Sequence, residues 1–303
     1  MAKIIDTGLT TLGVRSNFFE SMKAVERKYP LFATEVPSTT ETESYKWLGA
    51  VNFPRRWLGP RQPGGVRSES YNITNWVYEN TLDISVDELA DDQTGQIMIR
   101  AREMGQTTGR GRDEVFFGVL SAGLTTSGYD GVPFFNSAHS WGDSGSQSNI
   151  ISCTAATGTT PTVAEAQAYF GSAYGKMAGF KDDKGHYTLT DMSGLVLLCN
   201  PRHKWIWQQA FNPNQFSTAE NIYGNVARVI DDPRVTSTSW YLLTTAPILK
   251  SFVFQLRQDT LFTAMDQEIS PGVYYNNTIS YGTKERWRFA YGHWQYGVLG
   301  RWF

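Results

Sequence analysis

The chain has 303 residues, 41% of them hydrophobic and 18% charged, a make-up that argues against an extensively disordered protein. A formal net charge of −2 without clustered Lys and Arg argues against tight nucleic-acid binding, and no uninterrupted apolar run approaches the ~18 residues of a membrane span. Two distant cysteines, Cys153 and Cys199, do not make a disulfide framework or a zinc site, and the start Met1 to Asp6 lacks the apolar core of a signal peptide, which favours a cytoplasmic setting.

Leu12 to Tyr29 places Phe18, Phe19, Met22 and Val25 on one face and predicts an amphipathic helix. Pro30, Pro37 and the polar run Ser38 to Glu43 follow, so residues 1–44 read as an N-terminal arm without its own core. Two runs rich in aromatic and β-branched residues, Tyr45 to Phe53 and Tyr71 to Ile84, flank a Pro- and Gly-rich tip, Pro54 to Gly65. Residues 45–84 therefore read as a long two-stranded hairpin. Such a hairpin is marginal alone in water, yet it carries Trp47, Trp57, Tyr71, Trp76 and Tyr78. A neighbouring copy of the chain is the economical source of the missing contact surface. Arg55, Arg56, Arg61 and Arg67 stand there against the lone acid Glu69. They suit a solvated tip that resists edge pairing and equally a charge-paired dock on an acidic neighbour around Glu88, Asp91 and Asp92.

Ser85 to Glu88 has capping-box spacing and predicts the start of a helix whose apolar stripe continues to about Gly123, ~55 Å if unbroken. Gly105, Gly109 and Gly111 each cost about 1 kcal/mol in a helix interior, which predicts a bend or weak turn there and a hinge role. Thr126 to Phe135 is a turn signal, followed by a Ser, Gly and Thr-rich loop to Pro161. Thr162 to Glu165 is a second capping box, opening a helix on Ala166, Phe170, Ala173 and Met177. Gly194 to Cys199 reads as a strand, and Asn200-Pro201 opens a short helix through Phe211. Within it Trp205 and Trp207 point in different directions, so one can serve a core and the other an interface. Val226 to Ile230, Trp240 to Leu243, Ser251 to Leu256 and Val273 to Ile279 read as strands, with Trp287, Phe289 and Tyr291 lining a last one. The class is α+β.

Catalytic groups are sparse. None of His139, His186, His203 and His293 has metal-site spacing, and a shared site of His139 with Asp143 is a weaker reading than a loop histidine. The pairs Asp91-Asp92, Asp182-Asp183 and Asp231-Asp232 read as turn or helix-end acids rather than acid and base. Neither a phosphate loop nor a GxSxG elbow occurs. No catalytic, cofactor-binding or metal residue is expected. The ten tryptophans favour large contact surfaces over a glycan cleft.

The order of arm, long hairpin, long helix, second helix, strand-rich insertion and closing strand resembles the Hong Kong 97-type phage capsid fold. Ser127-Gly128-Tyr129-Asp130-Gly131-Val132-Pro133-Phe134-Phe135, followed by Ser137-Ala138-His139, is similar to the Mu-type major head subunit family. So are Val86 to Asp92 before the long helix and Leu195 to Pro201 before the short one; Ser140 departs from the proline expected after the histidine. The resemblance implies an N-terminal arm (1–44), an extended hairpin loop (45–84), a peripheral domain with a spine helix (85–190), an axial domain (191–280) and a closing peripheral strand (281–303). It implies a non-enzymatic major capsid protein forming homo-hexamers and homo-pentamers of an icosahedral shell. That shell would be assembled in the bacterial host cytoplasm with scaffold and portal proteins, and with a decoration protein in some cases. It would enclose double-stranded DNA without sequence-specific binding and without contact to membrane. Inter-subunit contacts are expected at Trp47, Arg55, Arg56, Trp57, Arg61, Arg67, Trp76, Glu88, Asp91 and Asp92. The competing readings are a carbohydrate hydrolase using paired carboxylates and a tail tube protein.

Overall fold

A computed structural model of the chain describes residues 7–45, 56, 59, 71–92, 95–189, 191–212 and 221–303. Helix α1 (Thr7–Ala24) turns through the short α2 (Tyr29–Phe32) into β1 (Ala33–Pro37). Lys28 and Tyr29 donate their backbone N–H groups to the buried Asp113 carboxylate at 2.9–3.1 Å, which fixes that corner. Strands β2 (Thr42–Tyr45), β3 (Tyr71–Thr74) and β4 (Trp76–Ser85) follow.

The single helix expected from residue 85 to 123 is two helices, α3 (Val86–Asp91) and α4 (Gln96–Ala122). Ser85 accepts from Asp87 N–H and starts the first. The break comes at Gly95, held at φ +71°, where Asp92 accepts from the N–H groups of Gln96 and Ile97 at 3.0 and 3.1 Å and so caps α4 from outside. Downstream, α4 runs without interruption through Gly105, Gly109 and Gly111, where a bend was expected. Packing accounts for two of the three. A Cβ at Gly105 would collide with Phe18 O and Ser21 Oγ of α1, and one at Gly109 would lie 3.1 Å from Met22 O. These glycines let α1 lie close along α4, and Ser21 Oγ donates to Arg102 O at 2.9 Å in the same seam. A Cβ at Gly111 would meet nothing within 4 Å.

Beyond α4 the chain forms β5 (His139–Ser140), β6 (Ser146–Gln147), β7 (Ile150–Cys153), α5 (Val163–Ala178), β8 (Leu195–Cys199), α6 (Lys204–Ala210), β9 (Arg228–Asp231) and β10 (Ser239–Thr244). Then come β11 (Phe252–Met265), α7 (Pro271–Asn276), β12 (Thr278–Tyr291) and β13 (Gly297–Trp302). Thr162 and Glu165 make the expected reciprocal capping box of α5. The strand expected at Val273 to Ile279 is instead α7, opened by Pro271 and closed by Asn277 in the left-handed region at φ 51°, and only then β12.

Among the described residues two sheets dominate. One has the order β1-β11-β12-β4, the other β7-β13-β10-β8-β9. This pairing cuts across the division expected from the sequence. β11 leaves the 191–280 group to pair with β12 and β1, while β13 lies between β7 and β10 in the same sheet as β8. The reason is long-range hydrogen bonding between strands far apart in sequence, which no local pattern reports. One apolar core holds both sheets and α4: Phe116 of α4 meets Phe32, Phe252 and Phe289, stacked on Phe32 at 5.8 Å, and Phe135 meets Tyr241 of β10 at 5.4 Å. A second core holds α1 and the first half of α4 against Phe262, Ile279 and Tyr281.

Under the helix lies a buried ion pair. Arg112 Nη2 is 3.1 Å from Glu285 Oε1, with both side chains 5% exposed, and also reaches Asp259 at 2.5 Å. Burial works against the guanidinium charge, but Glu285 outweighs it and holds Arg112 firmly protonated. Trp287 Nε1 and Thr260 Oγ1 complete the donors around Glu285.

Candidate functional site

Strands β2 and β3 bracket residues 46–70, the middle of the expected hairpin. Their pairing, Thr42 with Thr74 through Tyr45 with Tyr71, forms the stem of the expected hairpin. The described part of the stem ends there. Of the expected contact residues, Trp47, Arg55, Trp57, Arg61 and Arg67 lie outside the described residues, while Arg56 is described and exposed.

The stem is fastened to the β11–β12 sheet. Because Phe252 and Phe254 face α4, the alternating Val253 and Gln255 face the other way, and there Tyr45, Ile73, Val253 and Ala290 form a small apolar cluster. Gln255, fully buried, donates to Asn75 Oδ1 at 2.8 Å and to Ile73 O at 3.1 Å, and accepts from Tyr45 OH at 2.7 Å. Asn75 in turn donates to Ser38 Oγ and Thr40 O, both at 2.9 Å. Burial pushes the Tyr45 phenol up to about 12, so it stays a donor. At Asn75 the strand changes partner: Tyr71–Thr74 pairs with β2, and Trp76–Ser85 pairs with β12. Beside this knot Glu43 accepts from the N–H groups of Thr40 and Thr39 and from Ser38 Oγ, which hold its carboxyl down to about 2.

Trp76 is 51% exposed and stacks with the Arg288 guanidinium 3.4 Å from its ring centre. It borders a groove of about 500 Å³ between the stem and the C-terminal half of α4, lined by Ile73, Val115, Gly118 and Arg288. Glu88 and Asp91 are exposed on α3, whereas Asp92 is engaged in capping α4. In the short helix the two tryptophans divide as expected: Trp207 is fully buried and Trp205 is 72% exposed.

The buried acids are matched to structural partners rather than to a cleft. Asp232 faces Arg234 Nε at 2.8 Å and Lys28 Nζ at 2.9 Å; burial raises its pKa, but these cations win and bring it down to about 2. Asp130 pairs with His139 Nδ1 at 2.6 Å, so the histidine's partner is Asp130 and not Asp143. His139 also stacks on Trp294 at 4.1 Å. Tyr129 OH donates to Gln295 at 3.0 Å, and Phe134 stacks on Tyr291 at 4.8 Å. The stretch Ser127 to Phe135 is thus an internal fastener between the end of α4 and the turn before β13, a role its turn-like composition does not reveal. Burial pushes the thiols of Cys153 and Cys199 up to about 11 and about 12, leaving them unreactive at neutral pH. Among the described residues no group of three His, Cys, Asp or Glu could hold a metal, and no helix is long and apolar enough to cross a membrane.

The fold is that of phage capsid proteins. The chain superposes on a chain of the bacteriophage JBD30 procapsid with a TM-score of 0.59 at 22% identity, covering 97% of this chain and 74% of that one. It superposes on the mature capsid of bacteriophage PhiM1 with a TM-score of 0.62 at 9% identity, covering 92% and 87%. In sequence it is 32% identical over 159 residues to the Mu-like prophage FluMu major head subunit of Haemophilus influenzae. That alignment spans 52% of this chain and about half, 52%, of the relative. Residues 9–170 and 207–301 match the Mu-like prophage major head subunit gpT family, and the chain belongs to that family.

Proposed function

We propose that this chain is the major capsid protein of a tailed phage and not an enzyme. Its copies associate as hexamers and pentamers into an icosahedral shell that encloses double-stranded DNA without reading its sequence. The carrying observation is the hairpin stem, locked onto its own sheet by Gln255, Asn75 and Tyr45. An excursion with so rigid a root and so many aromatic residues suits a clamp on a neighbouring copy. Near-neutral charge suits a container that must also release its genome.

In this reading the units follow the sheets: α4 with β1, β4, β11 and β12 forms the peripheral unit, and the five-stranded sheet with α5 and α6 the axial one. In the same reading α4 would flex at Gly105, Gly109 and Gly111 as a precursor shell expands, the first two only by loosening their seam with α1, whereas a Cβ at Gly111 would meet nothing within 4 Å. Scaffold, portal and decoration proteins would be further partners, and assembly would take place in the host cytoplasm. Size-exclusion chromatography with negative-stain microscopy tests the proposal. Closed shells or rings of six and five support it, and a stable monomer that cleaves glycans sinks it. Deleting Pro54 to Gly65 should leave a folded chain that no longer assembles.

A further inference from the structure

His139 opens β5 with no exposed surface, and both of its ring nitrogens meet an oxygen. Nδ1 lies 2.6 Å from Asp130 Oδ2, and Nε2 lies 3.2 Å from Asn149 Oδ1. A neutral imidazole has one N–H and one bare nitrogen, so it satisfies one acceptor and repels a second. What matters is whether Asn149 presents its oxygen or its nitrogen to the ring. Two other bonds fix the amide: Asn149 Nδ2 donates to Phe134 O at 2.8 Å, and Asn149 Oδ1 accepts from Asn136 N–H at 2.8 Å. Turning it over would set oxygen against oxygen and N–H against N–H, losing both bonds in a buried place.

The other partner also asks for a proton on the ring. The Asp130 side chain is 1% exposed, and its second oxygen, Oδ1, is buried without a hydrogen-bond partner among the described residues. Of carboxyl and imidazolium the carboxyl is the stronger acid, so the proton between them belongs on the nitrogen. Trp294 lies parallel to the ring within 7° at 4.1 Å, and an indole face attracts a cation.

The titratable groups packed around the pair come from four places. Tyr129 is on the turn after α4, Asp143 between β5 and β6, Asp182 and Asp183 after α5, and His293 and Tyr296 before β13. Burial holds His293 down to about 4 and raises the phenols of Tyr129 and Tyr296, so these three are uncharged at neutral pH. Lys181 lies over the ring of Tyr187. The remaining neighbours are acids, whose field favours a cation at His139.

We propose that His139 is held as an imidazolium in the folded chain, donating to both Asp130 and Asn149, and that this buried charge is a pH-sensitive lock on the fastener between the end of α4 and the turn before β13. Loss of the ring proton turns one donated bond into a contact between two acceptors and leaves Asp130 a buried anion without a counter-charge. The lock holds at neutral pH and loosens on the alkaline side. An unfolded histidine gives up the same proton near its ordinary value of about 6.5. Above that pH the folded chain holds one proton more than the unfolded chain, and the unfolding constant rises by up to about tenfold per pH unit.

Nitrogen-15 NMR of unassembled subunits at pH 8, where a free histidine is neutral, reads the ring directly. Both ring nitrogens of His139 should show one-bond N–H splittings, assigned by their loss in His139→Gln or, if that variant does not fold, by through-space contact with the Trp294 ring. A single protonated nitrogen, whichever it is, overturns the proposal. Urea unfolding at pH 7 and pH 8 reads the lock. The unfolding constant of the parent should rise about tenfold over that unit, and those of His139→Gln and Asp130→Asn by less than about threefold. A parent whose rise is below about threefold, or is matched by either variant, overturns the lock even with a doubly protonated ring.

Discussion

Replacing Arg112 by Met probes the buried ion pair between α4 and β12. The substitution keeps most of the side-chain volume but leaves Glu285, 5% exposed, without its cation. Trp287 Nε1 at 2.6 Å and Thr260 Oγ1 remain as donors, yet neither carries charge. Breaking a buried pair from one side costs about 3–5 kcal/mol. At about 2 °C per kcal/mol for a chain of this size, the unfolding midpoint of unassembled subunits should fall by about 6–10 °C. Removing both charges, Arg112→Met with Glu285→Met, should recover most of that loss, because the penalty comes from the orphaned carboxylate rather than from the missing attraction. Urea titration of the unassembled parent, the single and the double variant measures this directly. A single variant within about 1 kcal/mol of the parent, or a double variant no better than the single, would refute the reasoning.

The glycines of α4 should behave oppositely when changed to Ala. Gly105→Ala drives a methyl into Phe18 O and Ser21 Oγ and should destabilise by about 2 kcal/mol, lifting α1 from its seam, whereas Gly111→Ala enters open space and should stabilise by about 0.5–1 kcal/mol. Thermal melts of the two variants, with hydrogen exchange across α1, read the contrast. His293, set between the rings of Tyr129 and Tyr296, is held down to about 4 by desolvation. Its folded pKa lies below the unfolded value of 6.5, so its contribution is complete above pH 6.5 and is lost as pH falls toward 4. His293→Gln should flatten that decline in urea midpoints measured from pH 7 to 4.5; an unchanged slope counts against the assignment.

What can be read without coordinates is local. Thr162 and Glu165 announce their helix because a capping box is complete within four residues, and Asn200-Pro201 does the same for the turn before α6. Ser85 is legible as a helix start, but Asp92 capping a second helix is not, because its acceptor role needs Gly95 in the left-handed region. Val273 to Ile279 has strand composition, and the single proline at 271 together with Asn277 decides for a helix turn. Gly105 looks like a weakness in α4 because its partner, Phe18 O, is 87 residues earlier and no periodicity reports a close approach. The hairpin stem is legible from its aromatic runs. The Gln255–Asn75–Tyr45 network that aims it is not, since its three members are drawn from separate parts of the chain and none is unusual alone.

The change of partner at Asn75 has a mechanical side. Segment 46–70 is joined covalently to β3 and through it to β4, which pairs with β12 from Trp76 to Ser85. If the chain forms the proposed shell, a pull on this segment in line with β4 would enter that strand along its own axis. The ten-residue ladder is then loaded in shear, so its hydrogen bonds must yield together rather than peel one by one from the end. The buried side chains at the root need only keep the pull collinear, and the sheet bears the tension.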